Sequence, residues 1–259
     1  MVFSKVCVIL VALVFPWDPF GLPRAVVRGR GYKGAFVKLI IYGNGNMARV
    51  LYSFARRQIP VGGFTVDPWC IQNNESSFCG LPLIPFDRVQ DRFLPDEYQM
   101  LSAIGFLAMN DLREKKYLEA KAKGYSFSRY VHESVLIHDE VEIEENCILL
   151  DHVSVHPGTK IRRGTFVSSN VNIGHTCTIG ANNFINSGVA IAGGCSIGDG
   201  CFFGVNSCVG HGVHMGARNF VAANTLLNKD TQDDEVYLSE PGQLFRLKSK
   251  AFLKFAGLS

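Results

Sequence analysis

Histidines and cysteines carry much of the reactive chemistry in this 259-residue chain, and their spacing sorts them. His175 is the best candidate for a general base, able to take a proton from an attacking amine or hydroxyl. Gly193 follows it at a multiple of six along the chain. Without a side chain it would let a substrate carbonyl come close to its backbone N–H, a donor for an oxyanion. His211 repeats the same step beyond Gly193, with His214 close after it, and two such histidines could begin a zinc site. His132, His138, His152 and His156 read as structural or solvated. The cysteines form no C-x-x-C pair, and Cys147, Cys177, Cys195 and Cys201 are separated by multiples of six. They read as small buried hydrophobes, with reduced thiols and a cytoplasmic location. No Ser/His/Asp arrangement or phosphate-binding lysine motif appears in the sequence.

The elements that must position these residues are set by a six-residue repeat. Every sixth residue from Val131 through Ile173, Ile191 and Val209 to Leu227 is apolar, seventeen in all. At 47% apolar composition, chance would do this on the order of once in a hundred thousand. Two residues before each of these from Ile137 onward lies a second column of small uncharged residues, among them Val153, Thr165, Cys177, Asn183, Cys195 and Ser207. Six is a multiple of the strand period of two, so both columns face one interior in extended chain. On an α-helix the same column would smear around the surface. Three such faces close one coil, with coils stacked about 4.8 Å apart. Gly193 is then one coil from His175, and His211 one coil further. His175 lies outside both inward columns and should project outward, which suits a base and an ordinary surface histidine equally.

Units such as Ile173-Gly174-His175-Thr176-Cys177-Thr178 resemble those of the hexapeptide-repeat acyltransferases. The resemblance implies a mainly β protein, a left-handed parallel β-helix, against the usual right-handed crossover rule. It also implies a homotrimer with active sites between neighbouring prisms.

Ahead of the repeat, Val37 to Ile41 reads as a buried strand, and Gly43-Asn44-Gly45-Asn46-Met47-Ala48 follows it. A helix is expected next, with Met47, Val50, Leu51, Phe54 and Ala55 on one face. Gly62 to Asp67 and Met100 to Gly105 read as further strands. Asn110 is expected to cap a helix running to Lys123 and stopped by Gly124. The glycine loop either binds a phosphate at a helix N-terminus or is merely a tight strand–helix turn. Asp67 could hold a ribose hydroxyl or be a solvated strand-end acid. About ninety residues are too few for two mononucleotide-binding halves, which argues against NAD.

A small α/β Rossmann-like domain followed by a hexapeptide β-helix resembles the sialic-acid O-acetyltransferases and bacterial nucleotide-amino-sugar N-acetyltransferases. The similarity spans roughly Val37 to Asp230. It implies acetyl-CoA as co-substrate, a sugar nucleotide held by Gly43, Asn44, Gly45 and Asp67, and a role in surface-polysaccharide synthesis. By the same resemblance His175 is the catalytic histidine and Gly193 presents its amide to the acetyl carbonyl. Val205 and Ala223 match backbone contacts along the pantetheine path; as bare residues they are core or corner residues. Two departures stand out. Thr176 occupies the place of an acid and has no charge with which to orient an imidazolium. Phe184 replaces a second histidine. The histidines at 211 and 214 also resemble those of the zinc-dependent γ-class carbonic anhydrases, and that resemblance places the third ligand at Gly216, which has no side chain to offer. A non-catalytic binding protein is the third alternative, and no metal is expected for the leading reading.

The expected division is therefore an extension over 1–36, a sugar-nucleotide domain over 37–128, the β-helix over 129–230, and a tail over 231–259. Residues 1–36 hold five cations against Asp18, leaving a body of 21 basic and 22 acidic residues. That near-neutral body gives no reason to expect nucleic-acid binding. The apolar run Val6 to Phe15 is too short to span a bilayer. Residues 1–36 are expected to be an extension foreign to the domain, with a membrane-associating segment as the alternative. No firm membrane association is expected.

Overall fold

A computed structural model describes residues 38–73 and 75–258, so the expectations for residues 1–36 lie outside the described residues. The front layer contains β1 (Lys38–Tyr42), α1 (Asn46–Ala55), β2 (Val61–Val66), β3 (Ser77–Phe78), β4 (Leu81–Pro85), β5 (Tyr98–Ser102) and α2 (Asp111–Ala122). Its sheet runs β3-β4-β2-β1-β5, parallel except for the short β3–β4 hairpin. That hairpin, which the sequence reading passed over, turns on Cys79 and Gly80, both at positive φ. Such a tight turn matches the twist of its strands. β1 lies between β2 and β5, which is why Leu39, Ile40 and Ile41 form an unbroken buried run.

α1 buries Ala48, Leu51 and Ala55, but Val50, expected on the inner face, is 47% exposed. The helical period through Ala48, Leu51 and Ala55 places position 50 on the opposite side. α2 is less ordinary, for its buried face is Arg113, Lys116, Tyr117 and Ala120. Each polar member finds a partner. Arg113 donates to the carbonyls of Ile104 and Gly164, Lys116 to Asp67 and Glu119 at 2.7 Å each, and Tyr117 to Glu145 at 2.6 Å. Asn110 does not cap α2. Its backbone is left-handed, and its amide instead donates to Gly200 O and Cys201 O of the coils at 3.0 and 3.4 Å.

Short strands from Tyr130–Val131 to Leu226–Leu227 build the coils. They stack into three parallel sheets, of six, five and, once the final strand described below is added, seven strands. The register advances by one full coil at every step of this span, as in Val155↔Ile173↔Ile191↔Val209↔Leu227. A final strand, Val236–Tyr237, joins Phe220–Val221 after a turn shorter than a full coil. The large apolar column from Leu149 to Leu227 forms one continuous core.

The small column does more than save space. Cys147 Sγ donates to Arg162 O, Thr159 Oγ1 to Gly174 O, Thr165 Oγ1 to Gly180 O and Cys177 Sγ to Ala192 O. Asn183 Nδ2, Cys195 Sγ and Cys201 Sγ repeat the step to Gly198 O, Gly210 O and Gly216 O. Each of these bonds runs from a side chain of one coil to a corner carbonyl of the next. Burial pushes the thiols of Cys147 and Cys201 up to about 12 and about 11, so they remain S–H donors.

Outside the seven-stranded sheet, Phe166, Phe184, Phe202 and Phe220 stack as a ladder with ring centroids 4.6 to 6.1 Å apart. Phe106 and the Arg113 guanidinium lie against Phe184, so this residue seals the front layer onto the coils.

Candidate active site

One corner of the prism stacks Asp139, Pro157, His175, Gly193 and His211 at intervals of one coil. Thr176 N donates to Pro157 O at 2.8 Å, Gly194 N to His175 O at 2.8 Å and Gly212 N to Gly193 O at 3.0 Å. The next residue of each coil takes the left-handed conformation that turns the corner: Glu140, Gly158, Thr176, Gly194 and Gly212, with φ from 53° to 71°. For β-branched Thr176, at φ 53°, this is a strained choice, where the coils on either side use glycine.

His175 is exposed, and its ring lies across Gly193. A Cβ built on Gly193 would overlap Nε2 and lie 2.7 and 2.8 Å from Cε1 and Cδ2. Any side chain at 193 would have to displace the His175 ring. The Thr176 hydroxyl donates to His175 O at 2.8 Å while Nδ1 of the imidazole lies 3.1 Å from the same hydroxyl oxygen. In the arrangement that satisfies both contacts at once, the hydroxyl donates to His175 O and Nδ1–H donates to Oγ1, which leaves the lone pair on Nε2, at the Gly193 side.

The Gly193 N–H has no acceptor among the described residues. At a second corner the equivalent amides are capped by carboxylates: Arg163 N by Glu144, Ala181 N by Asp199 and Ala217 N by Asp233, at 2.7 to 2.9 Å. No acid among the described residues caps Gly193. The other end of its peptide is fixed, because Cys177 Sγ donates to Ala192 O at 3.2 Å. Burial raises the Cys177 thiol and keeps that donor protonated. An exposed imidazole and an amide with no acceptor among the described residues thus share one corner, the two kinds of group that acyl transfer requires.

His211 lies one coil beyond Gly193, its ring centroid 6.2 Å from that of His175. His214 is on a different face, with its backbone N–H on Asp230 at 2.8 Å. Gly216 packs against the backbone of Gln232. Among the described residues no three His, Cys, Asp or Glu side chains come together as a metal site.

Val205 and Ala223 stack on each other at a third corner, joined by Asn224 N to Val205 O at 2.9 Å, and Val205 is exposed. One chain does not bring them to His175.

In the front layer, Gly43 has φ 135° and packs on Ala103 O, a close approach that a side chain would obstruct. Asn44 Nδ2 holds Cys70 O at 2.9 Å, and Gly45 is exposed ahead of α1. Asp67 is not a solvated acid: it is 7% exposed and its Oδ1 binds Lys116 Nζ at 2.7 Å. Beside Asn44 opens a polar cleft of about 490 Å³ lined by Arg49, Gln72, Glu75 and Ser77 among others. Arg49 carries the cation of that cleft. A charged residue shortly past Gly45, in the first turn of α1, was the available signal for it.

No protein-family model matches the chain, and no curated protein sequence matches it. Solved structures do. The acetyltransferase domain of PglB from Neisseria gonorrhoeae, in complex with acetyl coenzyme A, superposes with TM-score 0.69 at 19% identity, over 78% of this chain and 96% of that one. PerB from Caulobacter crescentus, in complex with CoA and GDP-perosamine, gives TM-score 0.60 at 24% identity, over 78% and 94%. WeeI from Acinetobacter baumannii gives 0.69 at 17%, over 81% and 100%. The fold is theirs. It is the left-handed parallel β-helix preceded by a small α/β domain, as the resemblance to the hexapeptide-repeat acyltransferases implied.

Proposed function

We propose that this protein is an acetyl-CoA-dependent acetyltransferase acting on an amine or hydroxyl of a nucleotide-linked sugar, in surface-polysaccharide synthesis. The observation that carries the reading is the exposed His175 ring, with Nε2 turned toward Gly193, beside a Gly193 amide that has no acceptor among the described residues. The nucleophile attacks the thioester carbonyl and passes its proton to Nε2, while the carbonyl oxygen takes the negative charge onto Gly193 N–H. Collapse re-forms the C=O and expels the CoA sulfur, which receives the proton back from His175. Similar folds with bound acetyl coenzyme A and GDP-perosamine support both co-substrates.

The cleft beside Gly43-Asn44-Gly45 suits the nucleotide, with Arg49 set to meet its phosphates. Asp67 serves that domain by anchoring α2 through Lys116 rather than by touching the ribose. Because Val205 and Ala223 occupy another corner, a site containing them and His175 needs a second copy, which supports the homotrimer. The free thiols that donate within the coils suit a reducing cytoplasm. Among the described residues no helix is long and apolar enough to cross a membrane.

The test is release of CoA thiol from acetyl-CoA over a panel of nucleotide amino sugars and their hydroxyl counterparts. Turnover with one acceptor, lost in His175→Ala, is expected. Acetyl-CoA left intact with every acceptor would overturn the reading.

A further inference from the structure

The end of the chain is unlike the rest of the surface. After Glu240 no acidic residue remains, and Arg246, Lys248, Lys250 and Lys254 are interleaved with Leu244, Phe245, Phe252, Leu253, Phe255 and Leu258. All six apolar residues are exposed, from 41% at Phe252 to 100% at Leu244. A short helix, α3 (Ser249–Phe255), has no buried residue. Phe245 meets Phe252 edge to face at 5.5 Å, and Phe252 N, Ala256 N and Leu258 N bond back to Lys248 O, Phe252 O and Leu253 O. The segment is thus folded on itself without contributing to a core cluster. Among the described residues none of the four cations forms an ion pair.

The helical period divides the segment. Ala251, Phe252, Phe255 and Ala256 fall on one side, and Lys250 and Lys254 on the other. An apolar strip flanked by cations with no acids is the pattern that lies in the plane of a bilayer surface. The rings enter the acyl boundary, and the cations meet anionic headgroups. A protein partner is the poorer fit, because interface cores are depleted of lysine.

We propose that residues 243–258 are a peripheral docking element for an anionic lipid surface, which would hold the enzyme at a membrane without spanning it. The proposal does not depend on the catalytic reading.

The test is co-sedimentation of the full chain with vesicles of phosphatidylcholine alone and of phosphatidylcholine with phosphatidylglycerol. Expected is partition onto the anionic vesicles only, weakened by salt. It should drop at least tenfold in Phe252→Ser/Phe255→Ser and in Lys250→Glu/Lys254→Glu. Because these side chains join no core cluster, thermal unfolding of both variants should match the parent. Equal partition onto neutral vesicles, no partition, or full partition of the variants would overturn the proposal, the last placing the lipid contact elsewhere in the chain. A change in oligomeric state of the variants in sedimentation velocity, with no vesicle binding by the parent, would overturn it in favour of a second copy.

Discussion

The imidazole of His175 rests on the bare backbone of Gly193, one coil away, in space that any side chain would take. Gly193→Ala should therefore displace the ring and cover the amide in one step. Turnover should fall on the order of a hundred-fold or more, while the melting temperature changes little because the His175 ring that must move is exposed. Steady-state kinetics beside thermal unfolding check this. Wild-type turnover in a folded Gly193→Ala protein would remove the amide from the mechanism.

His175→Ala should lower kcat on the order of a hundred-fold or more with little change in acetyl-CoA binding. His211→Ala should do far less, since its ring is on the far side of Gly193 and 6.2 Å from that of His175. Isothermal titration with acetyl-CoA separates binding from chemistry. Equal losses in both variants would contradict the assignment of one base.

Thr176 combines backbone strain with a hydroxyl 3.1 Å from Nδ1 of His175, the contact that orients the ring. Thr176→Gly should relieve the left-handed strain and raise stability by up to about 1 kcal/mol. The same change frees the imidazole and should lower kcat more than it alters KM. Thr176→Ser keeps the hydroxyl and should restore most of kcat. A Thr176→Gly enzyme that is more stable and fully active would show that the hydroxyl plays no part.

Arg113 holds α2 to the coils through the carbonyls of Ile104 and Gly164. Arg113→Met keeps the bulk and leaves both buried acceptors without a donor, at about 1–3 kcal/mol for each. Chemical denaturation should show a loss of roughly that size. An unchanged midpoint would mean that packing alone holds the seam.

The Arg163 guanidinium, which binds Glu114 through both nitrogens, holds that carboxyl below its usual range, and Asn182 adds to the effect. Because the folded pKa is the lower one, the pair's contribution is present above the ordinary carboxylate range. It is lost as pH falls through the depressed folded value. The side chains are about a third exposed, so the effect is modest. Glu114→Gln should flatten the acid limb of a melting-temperature profile, and an unaltered acid limb would count against the linkage.

The columns running to Leu227 were legible because a strand's side-chain period is local and survives in sequence as a repeat of six. The corner of His175 and the one-coil offset of Gly193 follow from the same arithmetic. Other features were not legible, because they depend on groups far apart in the chain. A helix whose inner face reads Arg113, Lys116, Tyr117 looks solvent-facing until the carbonyls and carboxylates that satisfy it are in place. Cys177 reads as a small apolar residue, yet its thiol holds the Ala192 carbonyl of the next coil. Phe184 reads as a lost histidine, yet it belongs to the ladder that receives the front layer. Sequence alone determined which residues face inward and which residues share a corner with His175. Tertiary structure decided which hydroxyl meets the His175 ring and which amide is left without an acceptor among the described residues, since both depend on where hydrogen-bond partners end up once the coils have stacked.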